Sequence, residues 1–166
     1  MSELRIRVLT PDDAIAARDI RLESLRLFPS AFGNAWEEES NEPLHFWVGR
    51  LSGPARWFAA EIGDELAGIT VVSLEPAMKL SHIAKIGAVY VRERFHQRGV
   101  ANALMQSAME YLSPRAKFVT LHVSADNIAA RKLYERFGFV VCGQLESELN
   151  VDGRFFDELM MRKRFF

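Results

Sequence analysis

A layered fold mixing strands and helices, α/β or α+β in class, is what this sequence predicts, and three observations carry that expectation. Short stretches rich in β-branched and aromatic residues recur along the chain, several with the two-residue alternation of half-buried strands. Other stretches repeat their apolar residues at three- and four-residue spacing, as one face of a helix does. The two kinds follow one another as β-α-α-β-β-β-α-β-α-β-β, an order that places helices against a sheet. The 166 residues, 49% of them hydrophobic, suit a single domain spanning 1–166 with a core of its own.

The elements follow in turn. Leu4, Ile6 and Val8 alternate with Arg5 and Arg7, predicting a strand over 4–9. Thr10-Pro11-Asp12-Asp13 then offers an N-cap, a proline at the first helical position and an acid at the third, opening a helix to Leu27. Phe28-Pro29 ends it, and 30–41 reads as irregular. Pro43 opens a second short helix through Leu51, halted by Ser52-Gly53-Pro54. Residues 57–62 and 66–74 form a hairpin about Gly63-Asp64-Glu65, and 81–91 is a further strand. Val100, Ala103, Leu104, Ser107, Ala108 and Tyr111 share one helical face, closed by Pro114. A buried strand over 118–123, a helix over 127–137 stopped by Gly138, and strands over 139–149 and 155–161 complete the chain.

Composition excludes several classes of function. With 21 basic and 22 acidic residues the net charge is −1, which argues against a surface built to grip nucleic acid. An anionic ligand would have to be held locally. The single cysteine, Cys142, excludes an internal disulfide framework and a multi-cysteine zinc site; on the apolar run Val140-Val141-Cys142 it is expected to be a buried, inert thiol. No leader-like apolar segment opens the chain and no run is long enough to span a membrane, so a cytoplasmic protein with no membrane partner is expected. Arg162-Lys163-Arg164 reads as a solvated strand end, and Trp36, Phe46, Trp47 and Trp57 as core or as a pocket wall.

Two segments carry chemistry. In Val89-Tyr90-Val91-Arg92-Glu93-Arg94-Phe95-His96-Gln97-Arg98-Gly99-Val100-Ala101 a strand runs through a basic loop into a helix. Unpaired first-turn N–H groups and small residues make such a terminus an anion site. The usual nucleotide signatures GxxxxGK[ST] and GxGxxG are missing. The second segment, Asn127 to Phe139, has the form N-x-x-A-x-x-x-Y-x-x-x-G-F.

Together the two segments resemble the GCN5-related N-acetyltransferase superfamily, whose pattern V-x-x-x-x-Q/R-x-x-G-x-G/A is met by Val91, Gly99 and Ala101. The Gln or Arg of that pattern is His96 here, which leaves a main-chain cradle intact and the side chain's contribution open. The resemblance implies a mixed, mostly antiparallel sheet of about seven strands flanked by about four helices. It implies an acetyltransferase with acetyl-CoA as donor, no metal, and direct attack by a primary amine. Val89, Tyr90 and Val91 would offer backbone to the pantetheine arm, with the Val91 N–H facing the thioester oxygen. Gln97, Arg98, Gly99, Val100, Ala101 and Asn102 would wrap the diphosphate, and Asn127 and Arg131 would meet the arm and its phosphates. Tyr134 matches the family's general acid.

The base is less constrained by the pattern. His122, five residues before Asn127, is the first candidate, with His82, Glu37, Glu38, Glu39 and a water chain as rivals. The acceptor would be a small-molecule amine or a peptide N-terminus, shaped by residues 29–39 and by the last hairpin, 146–157. The family also admits homodimers. The competing reading is a non-catalytic acyl-CoA-binding module, against which the retained Tyr134 speaks, because a binder needs no acid there.

Overall fold

The computed structural model describes residues 3–166. Its frame is one sheet of seven strands in the order β1-β2-β3-β4-β5-β7-β6: β1 Leu4–Val8, β2 Arg56–Ile62, β3 Glu65–Leu74, β4 Ile83–Val91, β5 Phe118–Ser124, β6 Val140–Val151 and β7 Arg154–Arg164. Every neighbouring pair is antiparallel except β4 with β5. The helices are α1 Ala14–Leu27, α2 Trp36–Glu39, α3 Leu44–Ser52, α4 Val100–Leu112 and α5 Ile128–Arg136. The fifth helix, α2, falls in the stretch expected to be irregular: one turn of Trp-Glu-Glu-Glu is too short to display a period. Among the described residues no helix is long and apolar enough to cross a membrane.

The alternation along β2 divides the core. Trp57 and Ala59 face α1 and α3, where they meet Ala17, Ile20 and Trp47. Phe58, Ala60 and Ile62 face the other way, onto α4. On α4 the buried positions are Val100, Leu104, Met105, Ala108, Met109 and Leu112. That face is rotated from the expected one: flexible Met105 and Met109 fill the space against the sheet, and Ala103, Ser107 and Tyr111 sit at its margin. Trp47 and Trp57 are core, as expected, whereas Trp36 stays 39% exposed.

Because β7 inserts between β5 and β6, β6 is an edge strand. Val140 and Val141 are exposed there, and so is Cys142, correcting the expectation of a buried thiol. Arg162 corrects the reading of 162–164 as a wholly solvated end: its guanidinium packs 4.0 Å from the Phe118 ring centroid.

Buried charge joins the first three helices. Arg21, on α1, donates to both carboxylate oxygens of Glu39 at 3.2 Å, and Arg50, on α3, donates to the same carboxylate at 3.2 Å. Arg21 and Glu39 are 4% and 6% exposed, so each needs the other. Burial lowers the pKa of Arg50 from its ordinary value, and Arg21 lowers it further, while Glu39 opposes both.

At Gly68 a Cβ would lie 2.6 Å from the carbonyl oxygen of Tyr90 and 3.2 Å from Leu104. Backbone cannot yield there, so Gly68→Ala is expected to cost about 1–3 kcal/mol, read as a lower urea midpoint at an unchanged m-value. Asp13 accepts from Arg7 at 2.8 and 2.9 Å and from the Thr10 N–H at 2.8 Å. The Arg7 hydrogen bonds lead in holding its carboxyl down at about 2, against the opposing effect of burial. A carboxyl held below its unfolded value of about 4 stabilises the fold above that pH and loses the contribution as pH falls. Asp13→Asn is therefore expected to lower the urea midpoint at neutral pH, with the difference from the native chain shrinking as pH falls toward 2.

Candidate active site

The site begins where the sheet comes apart. Strands β4 and β5 pair only at Ile83–Phe118, Ala84–Val119 and Lys85–Thr120. Beyond those pairs they diverge, and β4 bends: Val71 stands opposite Gly87 and Ile69 opposite Tyr90, so β4 holds one extra residue, with Ala88 at φ 51°. The gap is a cavity of about 620 Å³ walled by Ile86–Val89 and Val91 of β4, Leu121–Ser124 of β5, the start of α4 and one face of α5.

At the α4 end, Gly99 has φ 77° and Gln97 φ 59°. None of the backbone N–H groups of 97–102 has a protein acceptor among the described residues. A Cβ on Gly99 would meet nothing within 4 Å, so the space beside the turn is open. Unsatisfied donors at a helix N-terminus with open space before them fit a diphosphate. His96 Nε2 lies 2.8 Å from the Val91 carbonyl oxygen, and since a carbonyl only accepts, Nε2 carries the proton. The Arg92 N–H bonds to Ala67 on β3. By the alternation of an extended chain, the Val91 N–H therefore points away from β3, to the cavity side.

Of the remaining candidate cofactor-binding residues, Val89, Gln97, Ala101, Asn102 and Asn127 line this cavity. Tyr90, Arg98, Val100 and Arg131 do not. Tyr90 turns to the other face of the sheet and donates to Glu23 at 2.8 Å; Val100 is in the core; Arg98 stacks on Phe95 at 5.5 Å. Arg131 bonds back to the Ala125 carbonyl at 3.1 Å, since the α5 residues that line the cavity are Ala129, Ala130, Lys132, Leu133, Tyr134 and Arg136. Lys132 and Arg136 are thus cations the motif did not name, though counting three, four and seven residues on from Ala129 would have found them. Asn127 caps α5 by accepting from the Ala130 N–H at 3.2 Å.

Tyr134 is 6% exposed, stacked edge-on against Phe139, and lines the cavity. Burial pushes its phenol up, so it keeps its proton at any working pH. His122 lines the same cavity, and its Nδ1 lies 3.3 Å from Glu158 on β7. The rivals are elsewhere. His82 packs on Phe118 at the far end of β4, and Glu39 is held by two arginines. Glu38 accepts from the Ala35 N–H at 2.8 Å, and only Glu37 reaches a cavity, a second one.

That second cavity, of about 470 Å³, lies between 25–37 and residues 148–152 of the last hairpin, and Phe32 lines both. It carries Glu37, Glu148 and Asp152 together with one cation, Arg26, which has no ion-pair partner among the described residues. Trp36 forms part of its wall.

Comparison with known proteins gives the setting. The chain is 28% identical over 167 residues to the L-amino acid N-acetyltransferase AaaT of Escherichia coli K12, covering 98% of this chain and 99% of that one. Its fold is shared with smu.2055 of Streptococcus mutans (TM-score 0.85, 18% identity, 98% and 99% of the two chains). It is shared too with yncA of Salmonella typhimurium, solved with acetyl-CoA (TM-score 0.82, 17% identity, 99% and 95%). The model of the acetyltransferase (GNAT) family matches residues 21–139, and with most of the chain inside that match, this protein belongs to the GNAT family of acetyltransferases.

Proposed function

We propose that this acetyltransferase acetylates the α-amine of free L-amino acids, using His122 as base and Tyr134 as acid. The observation that carries the reading is a single cavity taking in the unpaired backbone of β4, the imidazole of His122 and the phenol of Tyr134. Bound acetyl-CoA supplies an activated acyl group as a thioester. The N–H groups at the start of α4, with Lys132 and Arg136, are placed to hold its phosphates. The Val91 N–H is a fixed donor where the carbonyl oxygen gains charge.

As the amine attacks, a carbon–nitrogen bond forms and the carbon–sulfur bond breaks. His122 takes the proton the nitrogen must lose, and Tyr134 gives one to the departing sulfur. Reference values put the phenol about 1.5 units above a thiol, roughly 2 kcal/mol uphill. Burial raises the phenol further, and the same burial disfavours an adjacent thiolate, so the two shifts offset one another across the gap. The second cavity supports the acceptor class, because carboxylates and one unpaired arginine together complement a zwitterion. The full-length likeness to an L-amino acid N-acetyltransferase supports it as well.

The test is amine-dependent release of free CoA across L-amino acids, their amides and short peptides. Free amino acids are expected to turn over and amides to lag; turnover of peptides alone would replace the acceptor class. Tyr134→Phe is expected to lower kcat by about 10²–10⁴-fold with little change in the KM for acetyl-CoA. His122→Gln should do the same, and an unchanged rate in either variant removes that residue from its role.

A further inference from the structure

We infer that Glu158 is a positioning residue for His122, holding the imidazole in the tautomer that leaves Nε2 bare toward the cavity. The inference rests on the reading of His122 as base. Glu158 stands on β7 and is 7% exposed. In the β5–β7 register His122 faces Met160 and Ser124 faces Glu158, so His122 and Glu158 are diagonal neighbours on one face of the sheet. That face looks toward α1 and the 29–31 turn, where the Ser124 hydroxyl donates to the Ser30 carbonyl; the opposite face carries Leu121, Val123, Leu159 and Met161 into the core.

A buried carboxylate is costly unless it is paired. Among the described residues no lysine or arginine lies within ion-pair distance of Glu158, and its one hydrogen-bond partner is Nδ1 of His122. A carboxylate can only accept, so the contact requires the proton on Nδ1. In the neutral ring that leaves the lone pair on Nε2, which has no protein partner among the described residues. A free imidazole favours the opposite tautomer, with its proton on Nε2, which could not accept a proton from an amine at that atom. Glu158 thus fixes which nitrogen is basic, and it stands beside the positive charge the ring acquires when it takes the proton.

A purely structural Glu158 would tie β5 to β7 and leave the tautomer unset, and ¹⁵N NMR of the imidazoles separates the two. The His122 signal is assigned by its loss in His122→Gln. In the native enzyme the neutral His122 ring is expected to show a protonated Nδ1 and a bare Nε2. In Glu158→Leu, which cannot accept, the ring should revert to the Nε2-protonated form, and kcat should fall about 10²-fold with the acetyl-CoA KM unchanged. Glu158→Gln, whose amide oxygen can still accept from Nδ1, should restore the native tautomer and part of kcat. An Nε2-protonated ring in the native enzyme overturns the proposal, and so does a folded Glu158→Leu with native kcat. If neither variant folds, the native tautomer decides alone. Full activity in His122→Gln would instead remove the base reading, a result distinct from any of these.

Discussion

The parallel contact between β4 and β5 stops after three residue pairs, and the site exists because it stops. Backbone of β4 that a continued ladder would have paired with β5 lines instead a cavity that the diverging strands hold open. The bulge at Ala88 bends β4, while every residue of β5 stays paired with β7. A parallel pair needs a crossover connection, and here that crossover is α4, whose N-terminus arrives at the mouth of the gap. Strand divergence and the open helix N-terminus beside it are consequences of one connection.

The helices on the other face have a different task. Glu39, gripped by Arg21 and Arg50, ties a one-turn helix to its longer neighbours and so sets where Trp36 and Glu37 meet the second cavity. A turn that short has no helical stability of its own. The buried ion pairs therefore matter more for the position of the cavity wall than for net stability.

What could be read in the sequence was whatever is decided locally. The turn into α4 was legible because Gly99 between a strand and a helix is a statement about φ, and the place of Tyr134 on the cavity wall because the motif fixes its distance from Asn127. The seven strands were legible from their composition and alternation. Glu158 was not, because its meaning comes from a residue 36 positions away and from a register that no local pattern contains. The exposure of Cys142 was missed for a related reason: an apolar run looks the same in a central strand as in an edge strand, and only the insertion of β7 makes β6 the edge. Arg131 was carried over by motif position, whereas the helical phase of α5 gives the cavity to Lys132 and Arg136.

The hydrogen bond from His96 to the Val91 carbonyl has one more consequence. It clips the loop that precedes the cradle to the very residue whose N–H faces the cavity. The turn before α4 and the open end of β4 are thereby held together as one piece of backbone, so the spacing between the helix N-terminus and the Val91 N–H is set within the chain itself.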